Sequence, residues 1–232
     1  MSIVDAIQKI ESNEIQYDTF PWNKQKTRKI QHILLSLGTI IKLYDKYFLI
    51  CNYHSINYSD NIFLIGDDTK YTITNNKIII PEIDLAIIQL DEEISNIYDM
   101  IEYSHIDKLD INIKDINNKV IFDFIIPFND MYMSLQCNII QFTKKRYNNI
   151  CFPDMPMFIA KLTKESIKKI ENNINLLHGA SGTPIYKNNK IYGILSGEIN
   201  DDGTLILTPI FMIKRVLNEI ITTGKFNGLC KS

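Results

Sequence analysis

Four cysteines in 232 residues are too few for a disulfide scaffold. Cys51, Cys137, Cys151 and Cys230 also lack the close pairing of a metal-binding motif. They read as buried or free thiols in a reducing compartment, and the expected place of action is inside a cell or a virion rather than outside it. A secretory leader is not expected at the N-terminus: Asp5, Lys9, Glu11 and Glu14 interrupt what would have to be an apolar core. No run reaches the roughly 18 apolar residues of a membrane span. Charge of one sign is lacking too. A net charge of −2 gives no basic face for nucleic acid or for an anionic membrane. The short cluster Lys144-Lys145-Arg146 reads as a solvated loop. There is no internal repeat and no low-complexity tail.

What remains is ordinary globular material, 45% hydrophobic and 22% charged. The bias toward Ile, Asn, Lys and Tyr follows AT-rich codons and reflects genome composition more than chemistry. Ser2 to Ile15 reads as a short amphipathic helix, with Ser2 and Asp5 as a capping pair and Ile3, Ile7 and Ile10 on one face. Pro21-Trp22-Asn23 ends it. From about Lys29 the period changes to short apolar runs bounded by Asn, Asp and Gly. The first set is Ser36–Leu43, Tyr47–Cys51, Asn61–Ile65, Lys70–Thr74, Lys77–Ile80 and Leu85–Leu90. The second is Lys119–Ile126, Ser134–Gln141, Met157–Leu162, Thr183–Tyr186, Lys190–Ser196 and Thr204–Leu207. Asn75-Asn76 and Asn188-Asn189 suit tight hairpin turns, because Asn tolerates positive φ. Asp201-Asp202-Gly203 marks another turn. Charge-rich Asp91–Asn118 suits a surface connection, and the segment from Pro209 to Thr223 has helical spacing.

The two sets of six runs, the linker between them and the terminal helices therefore predict an all-β fold of two six-stranded antiparallel barrels with an N-terminal and a C-terminal helix. The division expected is a helical extension over 1–28, a first barrel and linker over 29–118, and a second barrel with its helix over 119–232.

Three segments carry chemistry. Cys51-Asn52-Tyr53-His54-Ser55 puts a histidine at the end of an apolar strand. Ile83-Asp84-Leu85-Ala86-Ile87-Ile88 opens another strand with an aspartate. Gly179-Ala180-Ser181-Gly182-Thr183-Pro184 wedges a serine between glycines. A serine hydroxyl is a weak nucleophile at neutral pH and needs a base to take its proton. An imidazole suits that task, since it titrates near neutrality. A carboxylate at a buried strand end is costly without a partner, and a histidine would supply one. Singly, each has a plainer reading: a core histidine, a turn aspartate, a serine in a loop.

In the order His, Asp, Ser, and with Ile191-Tyr192-Gly193-Ile194-Leu195-Ser196-Gly197 following, the sequence resembles the trypsin-like, chymotrypsin-fold serine proteases over roughly Ser36 to Ile221. The resemblance implies a serine endopeptidase with His54 as base, Asp84 as its orienter and Ser181 as nucleophile. It implies an oxyanion hole from the amides of Gly179 and Ser181, and no cofactor or metal. Asn175 would lie at the base of the first substrate pocket, where an Asp would select Lys or Arg, so a small or medium neutral side chain is the expected preference. Ser196, Gly197 and Glu198, after Leu195, would pair with the substrate backbone, and Leu205 would fill the back of the pocket. Glu198 either narrows the mouth or points to solvent. His178 either lines the cleft or is a solvated wall residue; His32 and His105 stand apart. The partner is a protein or peptide substrate, not nucleic acid or membrane, and oligomeric state is open.

The chain departs from secreted members in four places. Ala180 replaces the Asp that pairs with a newly cut N-terminus, so the enzyme is expected to be built active, and removing residues before Lys29 is not expected to switch it on. Ser55 stands where a disulfide cysteine usually follows the histidine. Asn52-Tyr53 replaces small residues, and Thr183 replaces a glycine. A non-catalytic binding or virion-structural module, or the fold reused for another hydrolysis, is the alternative.

Overall fold

The computed structural model describes residues 7–19, 27–56, 59–65, 70–73, 77–93, 101–102, 120–128, 131–143, 157–170, 177, 179–200 and 203–224. Over 12–19, 27–35, 59–61, 101–102 and 199–200, and at 70, 82 and 131, only the backbone is described. The turn at Asn75-Asn76, the basic cluster at 144–146, Cys151, Cys230, His105, Asn175 and His178 lie outside these residues.

The strands fall into two sheets, one on each side of the connection between Glu102 and Val120. The first sheet contains β1 (Ile7–Thr19), β2 (Thr27–Leu43), β3 (Lys46–Cys51), β4 (Ser59–Ile65), β5 (Lys70–Ile73), β6 (Lys77–Ile80), β7 (Leu85–Leu90) and the short β8 (Ile101–Glu102). Its order is β5-β4-β1-β2-β3-β7-β6, with β8 parallel to β2. The second contains β9 (Ile121–Phe128), β10 (Met131–Thr143), β11 (Met157–Leu162), β12 (Pro184–Lys187), β13 (Lys190–Asn200) and β14 (Thr204–Pro209). These close into a barrel in the order β10-β11-β14-β13-β12-β9. Two helices occur among the described residues: α1 (Lys164–Ile170) and α2 (Ile210–Thr223).

The two-sheet, all-β reading holds, and β6, β7 and β11 begin and end where the apolar runs do. The Asn188-Asn189 turn has φ of 50° and 57°, the doubly left-handed geometry that a two-residue hairpin needs. It joins β12 to β13 through the pair Lys187↔Lys190.

Two expectations are corrected. The N-terminal amphipathic helix is not found over its described part: residues 7–15 lie within β1, paired to β2 along its whole length and to β4. The Ile7 and Ile10 spacing that suggested a helical stripe has another cause. Ile7 packs into a cluster with β2, β3, β7 and α2, whereas Ile10 packs with Ile40, Leu49, Ile62 and Leu64. A strand covered on both faces carries apolar residues at i and i+3 without being helical. Truncation before Lys29 would thus remove an internal strand and cannot test for a removable leader. The first sheet also differs from a closed six-stranded barrel. It has eight strands with β1 and β8 included, and among the described residues β5 and β6 are not paired, leaving a half-barrel.

α1 went unrecognised because seven residues are too short for a clear periodic stripe. Its start is marked by Thr163, whose Oγ1 accepts the N–H of Ser166 at 3.2 Å, an N-terminal cap. α2 begins after Pro209 and ends at Gly224, whose N–H returns to the Ile220 carbonyl at 2.8 Å. Its buried face (Ile210, Met212, Ile213, Val216, Leu217, Ile220) sits in one cluster with residues of β1, β2, β3 and β7 and with Ile125, Ile191 and Ile194 of the second sheet. The C-terminal helix is thereby an apolar wedge touching both sheets. Each fully buried side chain of that size contributes about 1.5–3 kcal/mol. The second barrel has its own core around Phe124, Leu135, Phe158, Leu205 and Leu207.

Candidate active site

The pairing of β3 with β7 brings the first two groups together. Cys51 lies opposite Ala86, and the same antiparallel run carried one step further puts Tyr53 against Asp84, whose carbonyl accepts the Tyr53 N–H at 3.2 Å. Asp84 follows a 3-10 turn over Pro81–Ile83 and takes left-handed angles, φ 51° and ψ 44°. Aspartate is among the few non-glycine residues that tolerate this region. The kink turns its carboxylate back toward the end of β3.

There the carboxylate is fully buried and met by donors from Asn52 and His54. The backbone N–H of His54 donates to Oδ1 at 2.9 Å, the Asn52 amide Nδ2 donates to Oδ2 at 2.9 Å, and His54 Nδ1 lies 2.8 Å from Oδ2. A carboxylate only accepts, so Nδ1 carries the ring proton and Nε2 presents its lone pair. That lone pair faces Ser181 Oγ at 3.1 Å. The His54 side chain keeps 47% of its exposure, leaving a reacting group room to approach.

Ser181 is held between the two sheets. Its carbonyl accepts the N–H of Leu37 in β2 at 2.8 Å, and Gly182 N–H donates to Leu195 O at 2.8 Å. Thr183 N–H closes a turn onto Ala180 O at 3.1 Å, and the Thr183 hydroxyl donates to Ile125 O at 3.0 Å. Gly182 has φ +89°, and a Cβ there would overlap the Leu37 carbonyl oxygen. Gly179 also has positive φ, at 84°. Among the described residues, no acceptor engages the amide of Gly179 or of Ser181.

Other sequence-predicted residues are distributed as follows. Leu195 is buried in β13, paired with Leu207. The Ser196 hydroxyl points into a buried hydrogen-bonded cluster. Gly197 sits at a bulge in β13, with nothing within 4 Å of an added Cβ. Glu198 Oε1 accepts the N–H of Gly203 at 3.2 Å, so its carboxylate folds back on the β13–β14 turn instead of standing free in solvent. Leu205 is fully buried in the second core. Ala180 is fully buried as well.

Sequence reading treated Asn52 as a departure and did not see Thr208. Both are polar residues with no exposure, at or beside the end of an apolar strand, and that placement is the one signal that could have exposed them.

No sequence-family model matches the chain, and no curated protein matches it. Solved structures do. An alanine variant of the HtrA-type protease AlgW with a decapeptide superposes at a TM-score of 0.67 and 13% identity, over 97% of this chain and 66% of that one. The Rv3671c protease from M. tuberculosis in its active form gives 0.59 and 15%, over 98% and 84%. The inactive form of Rv3671c gives 0.58 and 13%, over 96% and 91%. The chain has the chymotrypsin-like serine protease fold. In this chain His54 and Asp84 come from the first sheet, after β3 and before β7, and Ser181 from the turn before β12 of the second. The chain spans just under two thirds of that AlgW chain.

Proposed function

We propose that the protein is a serine endopeptidase working through His54, Asp84 and Ser181. The observation that carries this reading is the unbroken run of contacts, 2.8 Å from carboxylate to imidazole and 3.1 Å from imidazole to hydroxyl. In the reaction, Ser181 Oγ attacks the substrate carbonyl while His54 Nε2 takes its proton. The buried Asp84 carboxylate stabilises the imidazolium that results. The developing oxyanion accepts hydrogen bonds from the Gly179 and Ser181 amides, which no other described acceptor uses. His54 then passes the proton to the leaving amine, and the acyl group on Ser181 is released by water with the roles repeated.

The substrate would lie extended along Ser196-Gly197-Glu198, where Gly197 leaves open space. The preference at the cleaved bond is for a small or medium neutral side chain; a peptide library cut mainly after Lys or Arg would overturn that point. Ala180, buried and uncharged, offers no partner for a released N-terminal ammonium, which supports an enzyme active without proteolytic maturation. The free, buried Cys51 and Cys137 suit work in a reducing compartment.

A fluorophosphonate probe tests the reading. The folded wild type is expected to label, and Ser181→Ala to abolish labelling and lower peptide turnover by about 10⁴–10⁶-fold. A folded wild type that neither labels nor cleaves a diverse peptide library would overturn it.

A further inference from the structure

We propose that Asn52 is a positioning residue of this site, the side chain that sets the Asp84 carboxylate against His54 and ties it to the second barrel. This rests on the protease reading above and deepens it.

The protons available at the site fix who donates to whom. Thr208 Oγ1 donates to the Ile83 carbonyl at 2.7 Å, which uses its only proton. Its contact with Ser196 Oγ at 2.9 Å must therefore be donated by Ser196. That spends the only proton of Ser196, so the 3.2 Å contact between Asn52 Nδ2 and Ser196 Oγ is donated by Asn52. The direction of the chain is thus fixed, from Asn52 to Ser196 to Thr208 to Ile83. Ser196 has no proton left for Asp84. Asn52 is a side-chain donor to Asp84 Oδ2 beside His54 itself.

The amide cannot be turned over. Its two N–H protons face three acceptors, Asp84 Oδ2 at 2.9 Å, Asp84 O at 3.1 Å and Ser196 Oγ at 3.2 Å, so one proton is shared between two of them, and an oxygen in that place would oppose all three. The other end of the amide points to function. Asn52 Oδ1 is buried without a hydrogen-bond partner among the described residues. An unpaired buried acceptor is a stability cost, and such costs are retained where a site demands a fixed geometry. The chain also crosses the seam between sheets, since Asn52, Ile83 and Asp84 belong to the first and Ser196 and Thr208 to the second. Displacing the barrels would therefore disturb the carboxylate and the nucleophile together.

The test uses the full chain with Asn52→Ala, Asn52→Asp and Thr208→Val. Readouts are kcat and KM on a peptide the wild type cleaves, the fluorophosphonate labelling rate at Ser181, and thermal unfolding. Losing a donor to a charged group that orients the base is expected to lower kcat and labelling about 10–100-fold with KM little changed. Asn52→Asp, with the same shape but an acceptor facing Asp84, is expected to lose more. Thr208→Val, which removes the acceptor of the Ser196 proton, should unfold earlier and lower kcat less than Asn52→Ala does, because the Asn52–Asp84 bond itself remains. If Asn52→Ala does not fold, Asn52→Ser, too short to reach Asp84, decides by the same split. Unchanged kcat in a folded Asn52 variant, or a kcat loss no larger than that of Thr208→Val, overturns the inference and leaves the protease reading intact. An unlabelled, folded wild type overturns the reading, and the inference with it.

Discussion

Replacing Gly182 by alanine probes the joint between the sheets most directly. At φ +89° an alanine pays the left-handed penalty of about 1–2 kcal/mol. Its Cβ would overlap the Leu37 carbonyl oxygen and stand 2.8 Å from the Leu37 carbonyl carbon. Backbone cannot swing aside as a side-chain tip can, so the overlap forces the two sheets apart, at a cost like overpacking of about 1–3 kcal/mol. The same shift strains the Leu37 N–H bond to Ser181 O, worth about 0.5–1.5 kcal/mol. Together these give about 2.5–6.5 kcal/mol, a large share of the about 5–15 kcal/mol that holds a domain folded. Gly224→Ala is the control: φ is +69°, but nothing lies within 4 Å of the new Cβ, so only the about 1–2 kcal/mol backbone term applies. Urea unfolding of the two variants measures the difference, and fluorophosphonate labelling reports whether Ser181 still meets His54. Equal stability of the two variants, with wild-type labelling in Gly182→Ala, would refute the close approach of Leu37 to the nucleophile turn.

Leu217→Ala, in the fully buried face of α2, should cost about 2–5 kcal/mol by urea unfolding; a loss below about 1 kcal/mol would mean that α2 is not wedged between the sheets. Burial, aided by the Asp84 charge, lifts the Cys51 thiol from 9.0 to about 12. Its contribution is intact below pH 9 and is lost as pH rises toward about 12, because in that window only the unfolded chain gives up the proton. The slope is about 1.4 kcal/mol per pH unit. Urea unfolding across this range should show alkaline loss that is less steep in Cys51→Ala; identical slopes would contradict the buried thiol. Gly197→Ala should leave unfolding little changed, because the added Cβ enters open space, while raising KM about tenfold by obstructing the substrate strand, a loss of about 1.4 kcal/mol in binding. An unchanged KM would place the substrate elsewhere.

Much of this architecture could be read locally. The turn at Asn188-Asn189 was legible because two asparagines between alternating runs favour left-handed angles. β7 was legible because Leu85–Leu90 is a short apolar run bounded by acids. The N-terminal strand was not. Ile7 and Ile10 serve different clusters on its two faces, and a one-dimensional pattern cannot distinguish that from a helical stripe. Asn52 looked like an oddity beside His54 for a related reason, since its partners Asp84 and Ser196 lie 32 and 144 positions away.

By itself, then, the chain order determined the reacting types and their local setting. A histidine follows one apolar strand, an aspartate precedes another, and a serine sits where glycine lets the backbone turn. Steric preferences and alternation act over a few residues, so they are written in neighbouring letters. Only the tertiary structure decided which distant groups meet: the Leu37 amide on the Ser181 carbonyl, the Thr208 hydroxyl on the Ile83 carbonyl, the α2 wedge against both sheets. Those contacts arise from burying apolar faces against one another, a collective effect of the whole chain that leaves no mark at any single position.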